Sequence, residues 1–543
     1  MIGRRQFLIA GGAAASALAL AETAKAAAEP AKGCSANQAT IIKGLVVERP
    51  VHQPYKLPSL AEMLAAQGQS GAGGPGGAGG PGGAPGAAGG PGAAAGGPGA
   101  AGGPPGAAGG PGGPGGPGGG GVSAIPAIYV LDGQHAADKS KADAVAEGTV
   151  NDRFASKVKI KGQGSETGGV YVKGMGTEYI LADATIDLSG KAGGGLGGTA
   201  TGASANDHST LTIRNCTITV SGQGRGATSV DGYSTLKVYN STLTSNGEPF
   251  TPDFSTTTQK QQLEVDGNCR CHVTLSNSYS YFYYSTIVSQ GWAALSTDSS
   301  EGFVYLEANN CTVKTIKSGY GTYADGSCHN VLNNCTFDVA AMACIIAGEA
   351  DCTFNHTNAK CASYFALIHC VMGSTAEAGT LKVTGGEIAT GKAAILVKSA
   401  NAEIQVDGAK IKSASGVLLQ SAVSTDPNAQ KTAHIKGQKV YGIHATLKNM
   451  DLEGDVLHTE DAENRGMTVY LEQTTLKGAI KDASIKMNRL SKWFATKDSN
   501  VTIIGDVDIS QIDAPAGVTI TAIAQESGTR ELASCGTLVL KTA

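Results

Sequence analysis

Ionisable side chains that could carry acid–base chemistry concentrate in one part of this 543-residue chain, between residues 317 and 369. They comprise a lysine, tyrosines, histidines and carboxylates. A Tyr, Lys or His base could remove a proton next to a carboxylate, as a lyase requires, whereas two carboxyl groups could hydrolyse a glycosidic bond. The sequence leaves both reactions open. The predicted catalytic residues are Lys317, Tyr320, Tyr323, Asp325, His329, Glu349 and His369.

Aromatic residues make up 5% of the chain, yet residues 279–284 are almost all aromatic. Alternation along a strand would send some of these rings outward, where they could stack on a sugar or on a phenolic ring. The same ring types also fill wide turns, and the sequence does not decide between the two roles. The predicted substrate-binding residues are Tyr283, Tyr284, Trp292, Asp231 and Asp298.

Acidic residues lie shortly before several predicted strands. Asp231 and Asp325 each stand nine residues before an Asn of the repeat described below. If successive turns align, the acids form a column along one edge, suited to acid–base catalysis or to a Ca²⁺ site. Asp-Gly is equally what a tight turn requires. We therefore expect no cofactor, with Ca²⁺ as the alternative. The predicted column comprises Asp207, Asp231, Asp298, Asp325 and Glu349.

A short phrase recurs along the chain and predicts the elements that would position these residues. It consists of an alternating apolar run, then Asn or Gly, a small residue or Cys, Thr, and another apolar residue. Self-similarity at a spacing of roughly 20 to 40 residues, with strands and no helical period, indicates a β-solenoid. We predict an all-β fold with the Asn and Cys columns inside it. The clear copies are residues 211–218, 236–243, 304–313 and 331–337, and the weaker ones 381–388, 404–411, 447–452 and 501–509.

Cysteine positions within the repeat predict buried thiols rather than disulfides. Small side chains at equivalent positions of successive coils would stack about 4.8 Å apart. No Cys-x-x-Cys occurs, so the case for a metal site is weak. Cys34 and Cys535, near the two ends of the mature chain, could pair or stay free. The predicted inward column comprises Cys216, Ser241, Ser278, Cys311, Cys335 and Cys352.

The N-terminal region predicts export and a long spacer. Residues 1–26 carry two arginines, an apolar run and a small-residue cleavage site, which resembles a twin-arginine signal peptide, with an ordinary secretory signal as the alternative. We expect a location in the periplasm, at the cell surface or outside the cell. Residues 27–70 form an N-terminal segment, and residues 71–121 are almost entirely Gly, Pro and Ala. That block is either a disordered linker or a collagen-like stalk, which would make the protein a trimer.

Charge and hydropathy exclude two kinds of partner. The net charge is −4 and the basic residues are scattered, so we expect no nucleic acid. No segment after the signal approaches the roughly 20 apolar residues of a membrane span. One long domain, residues 122–543, accounts for the rest of the chain, and residues 536–541 are predicted to form a strand that closes it.

The Asn ladder, the repeated phrase and the uneven turn lengths resemble right-handed parallel β-helix proteins of the pectin-lyase-like kind, over residues 125–515. The resemblance implies that fold and a carbohydrate polymer or oligosaccharide as substrate. The Asn-Thr-Asp, Gly-His-Gly and Arg-Ile-Lys phrases of polygalacturonases do not occur here. The expected function is an exported enzyme that acts in a lateral groove as a lyase or hydrolase. The alternatives are a surface or matrix protein that binds a glycan, and a cofactor-free enzyme for a small polyhydroxylated aromatic compound.

Overall fold

The structure is a computed structural model. It describes residues 41–52, 124–191, 198–247, 263–265, 269–298, 302–369, 378–424, 441–459 and 465–543. The predicted signal peptide (1–26) and the Gly/Pro/Ala-rich block (71–121) lie outside the described residues, as does most of the segment between them.

Each coil of the chain passes through three parallel sheets in turn, which we call the first, second and third sheets. One complete coil runs through strands Thr210–Arg214, Thr217–Ser221 and Thr228–Val230. The next coil pairs with it in register, so that Leu211 lies beside Leu236. Stacked parallel strands of this kind form a β-solenoid, and the prediction of an all-β solenoid is confirmed.

The first sheet follows the whole length of the solenoid. Its parallel strands are Phe154–Ser156, Glu178–Ala182, Thr210–Arg214, Thr235–Tyr239, Tyr279–Tyr283, Val304–Asn309, Cys328–Asn333, Asp351–Asn355, Gly379–Thr384, Ala402–Asp407, Ile443–Lys448, Met467–Glu472, Ile480–Met487, Ser499–Ile503, Thr519–Ala524 and Thr537–Thr542. The last of them confirms the closing strand that the sequence predicts at 536–541.

The other two sheets complete each coil. The second sheet contains Lys159–Gln163, Thr185–Ser189, Thr217–Ser221, Thr242–Asn246, Thr286–Ser289, Thr312–Thr315, Thr336–Val339, Asn358–Cys361, Glu387–Thr390 and Lys410–Ser413, and a separate sheet of Asp451–Glu453, Thr475–Lys477, Lys492–Phe494 and Ile512–Asp513 follows it. The third sheet contains Ile125–Leu131, Thr167–Lys173, Ala203–Asn206, Thr228–Val230, Cys269–Thr274, Trp292–Thr297, Tyr320–Asp325, Met342–Ala347, Ala366–His369, Ile395–Lys398, Val417–Ala422 and Asp455–Leu457, and then the start of Ile480–Met487.

Short elements flank the coils. Antiparallel strands close the edges, and four 3-10 helices occur among the described residues. The strands are Ile41–Ile42, Gln134–His135, Val145–Ala146, Thr149–Val150, Val507–Asp508 and Gly528–Glu531, and the helices are Ala137–Lys139, Ala142–Ala144, Gly198–Ala200 and Ile509–Gln511.

The core is a set of apolar columns inside the solenoid. Because side chains alternate between the two faces of a strand, every second residue points inward and meets its equivalent one coil away. Ile213, Val238 and Phe282 form one such column, and all three are fully buried. The outward-facing residues are left to bind or react.

The corner between the first and second sheets corrects one prediction. The Asn of the repeated phrase occupies it with a positive φ, as in Asn215 (52°) and Asn240 (47°). Asn tolerates this left-handed conformation better than most residues. Its side chain is exposed in both coils. The prediction of an interior Asn column is therefore wrong. Asn occurs at this corner because it tolerates the left-handed backbone conformation there, and not because its side chain is buried.

The residue after the Asn does face inward. The Cys216 N–H donates to Oγ of Ser241 (3.0 Å), and the Ser241 N–H donates to Oγ of Ser285 (3.2 Å). The serine hydroxyls of this column thus accept hydrogen bonds from buried backbone N–H groups at the corner, outside the strand ladders. Cys352 lies within a first-sheet strand and Ser278 lies at the other corner, so their assignment to this column is wrong.

The thiols of the corner column are free and buried at Cys216, Cys311 and Cys335, as predicted. Hydrophobic surroundings suit Cys, which packs as a small apolar residue. Cys535 is disulfide-bonded. Its predicted pairing with Cys34 remains a prediction, because Cys34 lies outside the described residues.

Replacing Ser241 by Ala should lower the free energy of unfolding by about 1–3 kcal/mol. The reason is that the buried Cys216 N–H loses its acceptor. Ser241→Cys should cost less, because Cys stands at this position in other coils. Urea unfolding of both variants measures the difference, and equal losses would contradict the role of the hydroxyl.

Residues 41–52 cross the outer face of the first sheet. Ile41–Ile42 pairs antiparallel with Val507–Asp508 in the last coils. Farther along, Arg49 forms an ion pair with Glu403 (2.5 Å), and Nε2 of His52 contacts Oγ1 of Thr380 (2.8 Å). This segment therefore fixes the N-terminal region to the C-terminal half of the solenoid.

Candidate functional site

The outer face of the third sheet is buried where the predicted site residues fall. Strands Trp292–Thr297, Tyr320–Asp325 and Met342–Ala347 are buried along almost their whole length. Their inward side chains join the main core, whereas the outward ones form a second apolar cluster. Leu263 and Val265, from the insertion between the second and third sheets, belong to that cluster. This outer face is therefore a shielded environment in which electrostatic interactions are strong.

Two predicted acids end neighbouring strands of this sheet. Ser296 pairs with Tyr323 in register, and two residues farther on stand Asp298 and Asp325. They are one coil apart, which corresponds to about 4.8 Å between equivalent positions. Both acids are partly exposed. The pair therefore lies at the edge where the shielded face meets solvent.

The other acids of the predicted column are less well aligned. Asp231 is two coils from Asp298, with Leu275 between them. Its Oδ1 accepts from the Gly232 N–H (2.8 Å), which is turn chemistry. Burial raises the pKa of Asp231. Asp207 is exposed at a position of positive φ in the preceding turn. The column thus reduces to Asp298 and Asp325, with Glu349 close enough to influence Asp325.

A buried arginine that the sequence reasoning missed organises the acid pair. Arg270 lies on strand Cys269–Thr274 and forms an ion pair with Asp298. Its charge also acts on Asp325 and Tyr323. Arginine is almost never fully buried unless it is paired. A charged residue within a strand of buried neighbours was therefore the sequence signal that could have identified Arg270.

Asp325 keeps its proton to a higher pH than an ordinary carboxyl group does. Burial raises the pKa of Asp325 to about 6, and the negative charge of Glu349 adds to the rise. The Tyr323 hydroxyl donates to Oδ2 of Asp325 (3.4 Å), and this hydrogen bond and the Arg270 charge act in the opposite direction. A carboxyl group in this range can serve as a general acid or base. Groups with perturbed pKa values cluster at functional sites.

The tyrosines and the tryptophan of the prediction pack against one another. The rings of Trp292 and Tyr320 meet edge to face at 6.2 Å, and those of Tyr320 and Tyr323 lie 5.7 Å apart. Burial raises the pKa of both Tyr320 and Tyr323. These phenols therefore keep their protons, and neither is suited to act as a base.

The other predicted aromatic residues lie on a different face. Tyr283 is on the first sheet, where its ring stacks on Tyr239 at 4.9 Å and 9°. One face of Tyr283 is thus already covered. Tyr284 occupies the left-handed corner and is 66% exposed. Neither joins Asp325.

The histidines and the lysine of the prediction are spread around the solenoid. His329 is the second residue of the first-sheet strand that follows Asp325, and it contacts the carboxylate of Asp351. His369 ends its strand beside Ala347, and is therefore two coils from Asp325. Lys317 is exposed in the turn before strand Tyr320–Asp325, at the opposite end of that strand from the acid.

A second missed group lies farther along the same outer face. Glu264 accepts hydrogen bonds from the Tyr364 hydroxyl (3.0 Å), Lys392 (3.2 Å) and Lys398 (3.3 Å). Burial by itself would raise the pKa of Glu264, but the charges of the two lysines and these hydrogen bonds outweigh it and lower the pKa. Glu264 is therefore a charged anchor for residues 263–265.

No family model and no curated protein matches this chain. Within the described ranges, no group of three or more His, Cys, Asp or Glu residues is placed to hold a metal ion. Nor does that part of the chain contain a helix long and apolar enough to cross a membrane.

Asp325→Asn should stabilise the protein at alkaline pH relative to acid pH. Because the pKa of Asp325 is raised, its protonation stabilises the folded state fully below about pH 4, and this contribution is lost as pH rises through about 6. Asn cannot ionise, so the variant should gain about 1–2 kcal/mol relative to wild type between pH 4 and pH 8, allowing for partial exposure.

Denaturant unfolding at the two pH values measures this effect. Asp187→Asn, at an exposed position of the second sheet, is the matched control and should show no such gain. A variant that behaves like the control would contradict the raised pKa.

Proposed function

We propose that this protein is an exported enzyme that hydrolyses a glycosidic bond of a carbohydrate polymer or oligosaccharide, at the edge of the third sheet. The observation that carries the proposal is the pair Asp298 and Asp325 in neighbouring coils, one held beside Arg270 and the other with its pKa raised to about 6. Two carboxyl groups in different protonation states are what glycoside hydrolysis requires. The signal-like residues 1–26 support export.

The chemistry assigns one role to each acid. Asp325, in its protonated form, donates its proton to the oxygen of the leaving sugar. Asp298, which forms an ion pair with Arg270, attacks the anomeric carbon as a carboxylate and forms a glycosyl ester. Asp325 then takes a proton from the water that hydrolyses the ester. A separation of one coil, about 4.8 Å, is closer to the spacing of retaining enzymes than to that of inverting ones.

Two features favour hydrolysis over β-elimination. A lyase needs a base, and the buried phenols of Tyr320 and Tyr323 keep their protons. Lys317 lies in the turn before strand Tyr320–Asp325, at the opposite end of that strand from Asp325. The buried rings also disfavour a substrate that would stack on them, such as a polyhydroxylated aromatic compound. Membership of the right-handed, pectin-lyase-like group remains part of the proposal.

A glycan-binding protein without catalysis is the second candidate. It is favoured by the aromatic first sheet, where Arg214 lies over the Tyr239 ring (5.4 Å) and the exposed Tyr284 stands nearby. These groups lie on a different face from Asp325. Binding could therefore occur there whether or not the third sheet reacts.

A substrate screen tests the proposal. The mature protein is incubated with neutral and acidic oligosaccharides and with polyphenols, and the products are analysed by mass spectrometry. Hydrolysis gives fragments that together contain one added water. Unsaturated fragments would indicate a lyase, and binding without new masses would support the second candidate.

A further inference from the structure

We propose that Glu264 is a positioning residue, which holds residues 263–265 on the third sheet and so keeps water away from the Asp325 carboxyl group. The inference rests on the proposed role of Asp325 as the proton donor. It concerns the environment of that donor and not the identity of the substrate.

The first step is the attachment of Glu264. Its carboxylate receives hydrogen bonds from three side chains on two different coils, and one of them, Lys398, is itself buried. Glu264 also has a φ of 58°, which is uncommon for a residue with a side chain. Strained conformations persist only where the surroundings hold them. The three hydrogen bonds supply that support.

The second step is the apolar cover on either side of the anchor. Leu263 and Val265 are 5% and 4% exposed, and they belong to the same apolar cluster as Tyr320 and Tyr323. Tyr323 is the residue whose hydroxyl donates to Asp325. Residues 263–265 therefore pack on the same outer apolar cluster as the tyrosine that hydrogen-bonds the acid.

The third step is the source of the Asp325 environment. Burial is the largest contribution to its raised pKa, ahead of any charge. The other groups that act on it are Glu349 and Arg270 from neighbouring elements, Tyr323 from the same strand, and the backbone N–H of Gly326. Glu264 is not among these, so its influence runs through solvation. Loosening the anchor should admit water and lower the pKa of Asp325.

Carbon-13 NMR of aspartate-labelled protein measures the Asp325 carboxyl titration directly, with the signal assigned by its loss in Asp325→Asn. Glu264→Gln and Lys392→Ala should each lower the pKa of Asp325 by about one unit. Lys392 is more than half exposed, so its variant should fold even if Glu264→Gln does not. The matched control is Glu387→Gln, which breaks an exposed ion pair with Lys410 (3.0 Å) and should change nothing.

The Lys392 variant separates solvation from direct charge. Removing a positive charge would raise the pKa of a nearby acid, whereas added solvation lowers it. An unchanged or raised pKa of Asp325 in the folded Lys392→Ala variant would overturn the proposal. The titration needs no substrate. A screen that detects no turnover therefore argues against the hydrolase proposal, whereas the titration of Asp325 still tests the role of Glu264.

Discussion

Asp325→Asn should reduce turnover of the substrate identified by screening about 10³-fold, within the 10²–10⁴ range of general acid catalysis. The side chain keeps its size but can no longer give up a proton to the leaving oxygen. In the wild type, the rate should fall as pH rises through about 6, because the protonated form is lost. Steady-state kinetics between pH 4 and pH 8 measure both effects.

The matched control for the turnover experiment is Asp187→Asn. It makes the same chemical change at an exposed second-sheet position and should retain full activity. Circular dichroism should show that both variants are folded. Full activity of Asp325→Asn would remove this acid from the mechanism, and with it the hydrolase proposal.

Arg270→Met should lower the free energy of unfolding by about 3 kcal/mol. The substitution keeps much of the buried volume but leaves the Asp298 carboxylate without its cation. A carboxylate that loses its cation at this partly buried position costs more free energy than the removal of both charges together. Denaturant unfolding at pH 7 measures the loss.

The double variant with Asp298→Asn is the control for this explanation. It removes the stranded charge together with the cation, and should recover at least half of the lost stability. If the double variant is less stable than Arg270→Met alone, the loss comes from packing and not from charge.

The repeat allowed the solenoid to be predicted, but not the orientation of its most obvious residue. Alternating apolar residues and a fixed spacing are local properties, and they identify strands and their stacking. Asn215 and Cys216 are neighbours in the same corner, yet one is exposed and the other buried. Which of the two faces inward depends on the φ of 52° at Asn215, which the residue types alone do not specify.

The candidate site was predicted in part. Counting from the repeat identified Asp325, because positions within the coil carry over from one turn to the next, and Asp298 was predicted because it stands just ahead of a strand. It did not find Arg270 or Glu264. Glu264 belongs to the insertion after strand Thr242–Asn246, and Arg270 follows that insertion. Its length shifts the positions that are counted from the repeat. Lys317 and Tyr283 were included because they are close in sequence, although the solenoid sends them to other edges.

The sequence by itself determined the all-β solenoid and which residues could carry charge or protons. These follow from periodicity and residue type. Only the tertiary structure decided that Arg270 neutralises Asp298, that Asp325 lies in a shielded environment, and that Glu264 reaches Lys398. Protonation depends on burial and on charges from other coils, and these come together only when distant parts of the chain are stacked.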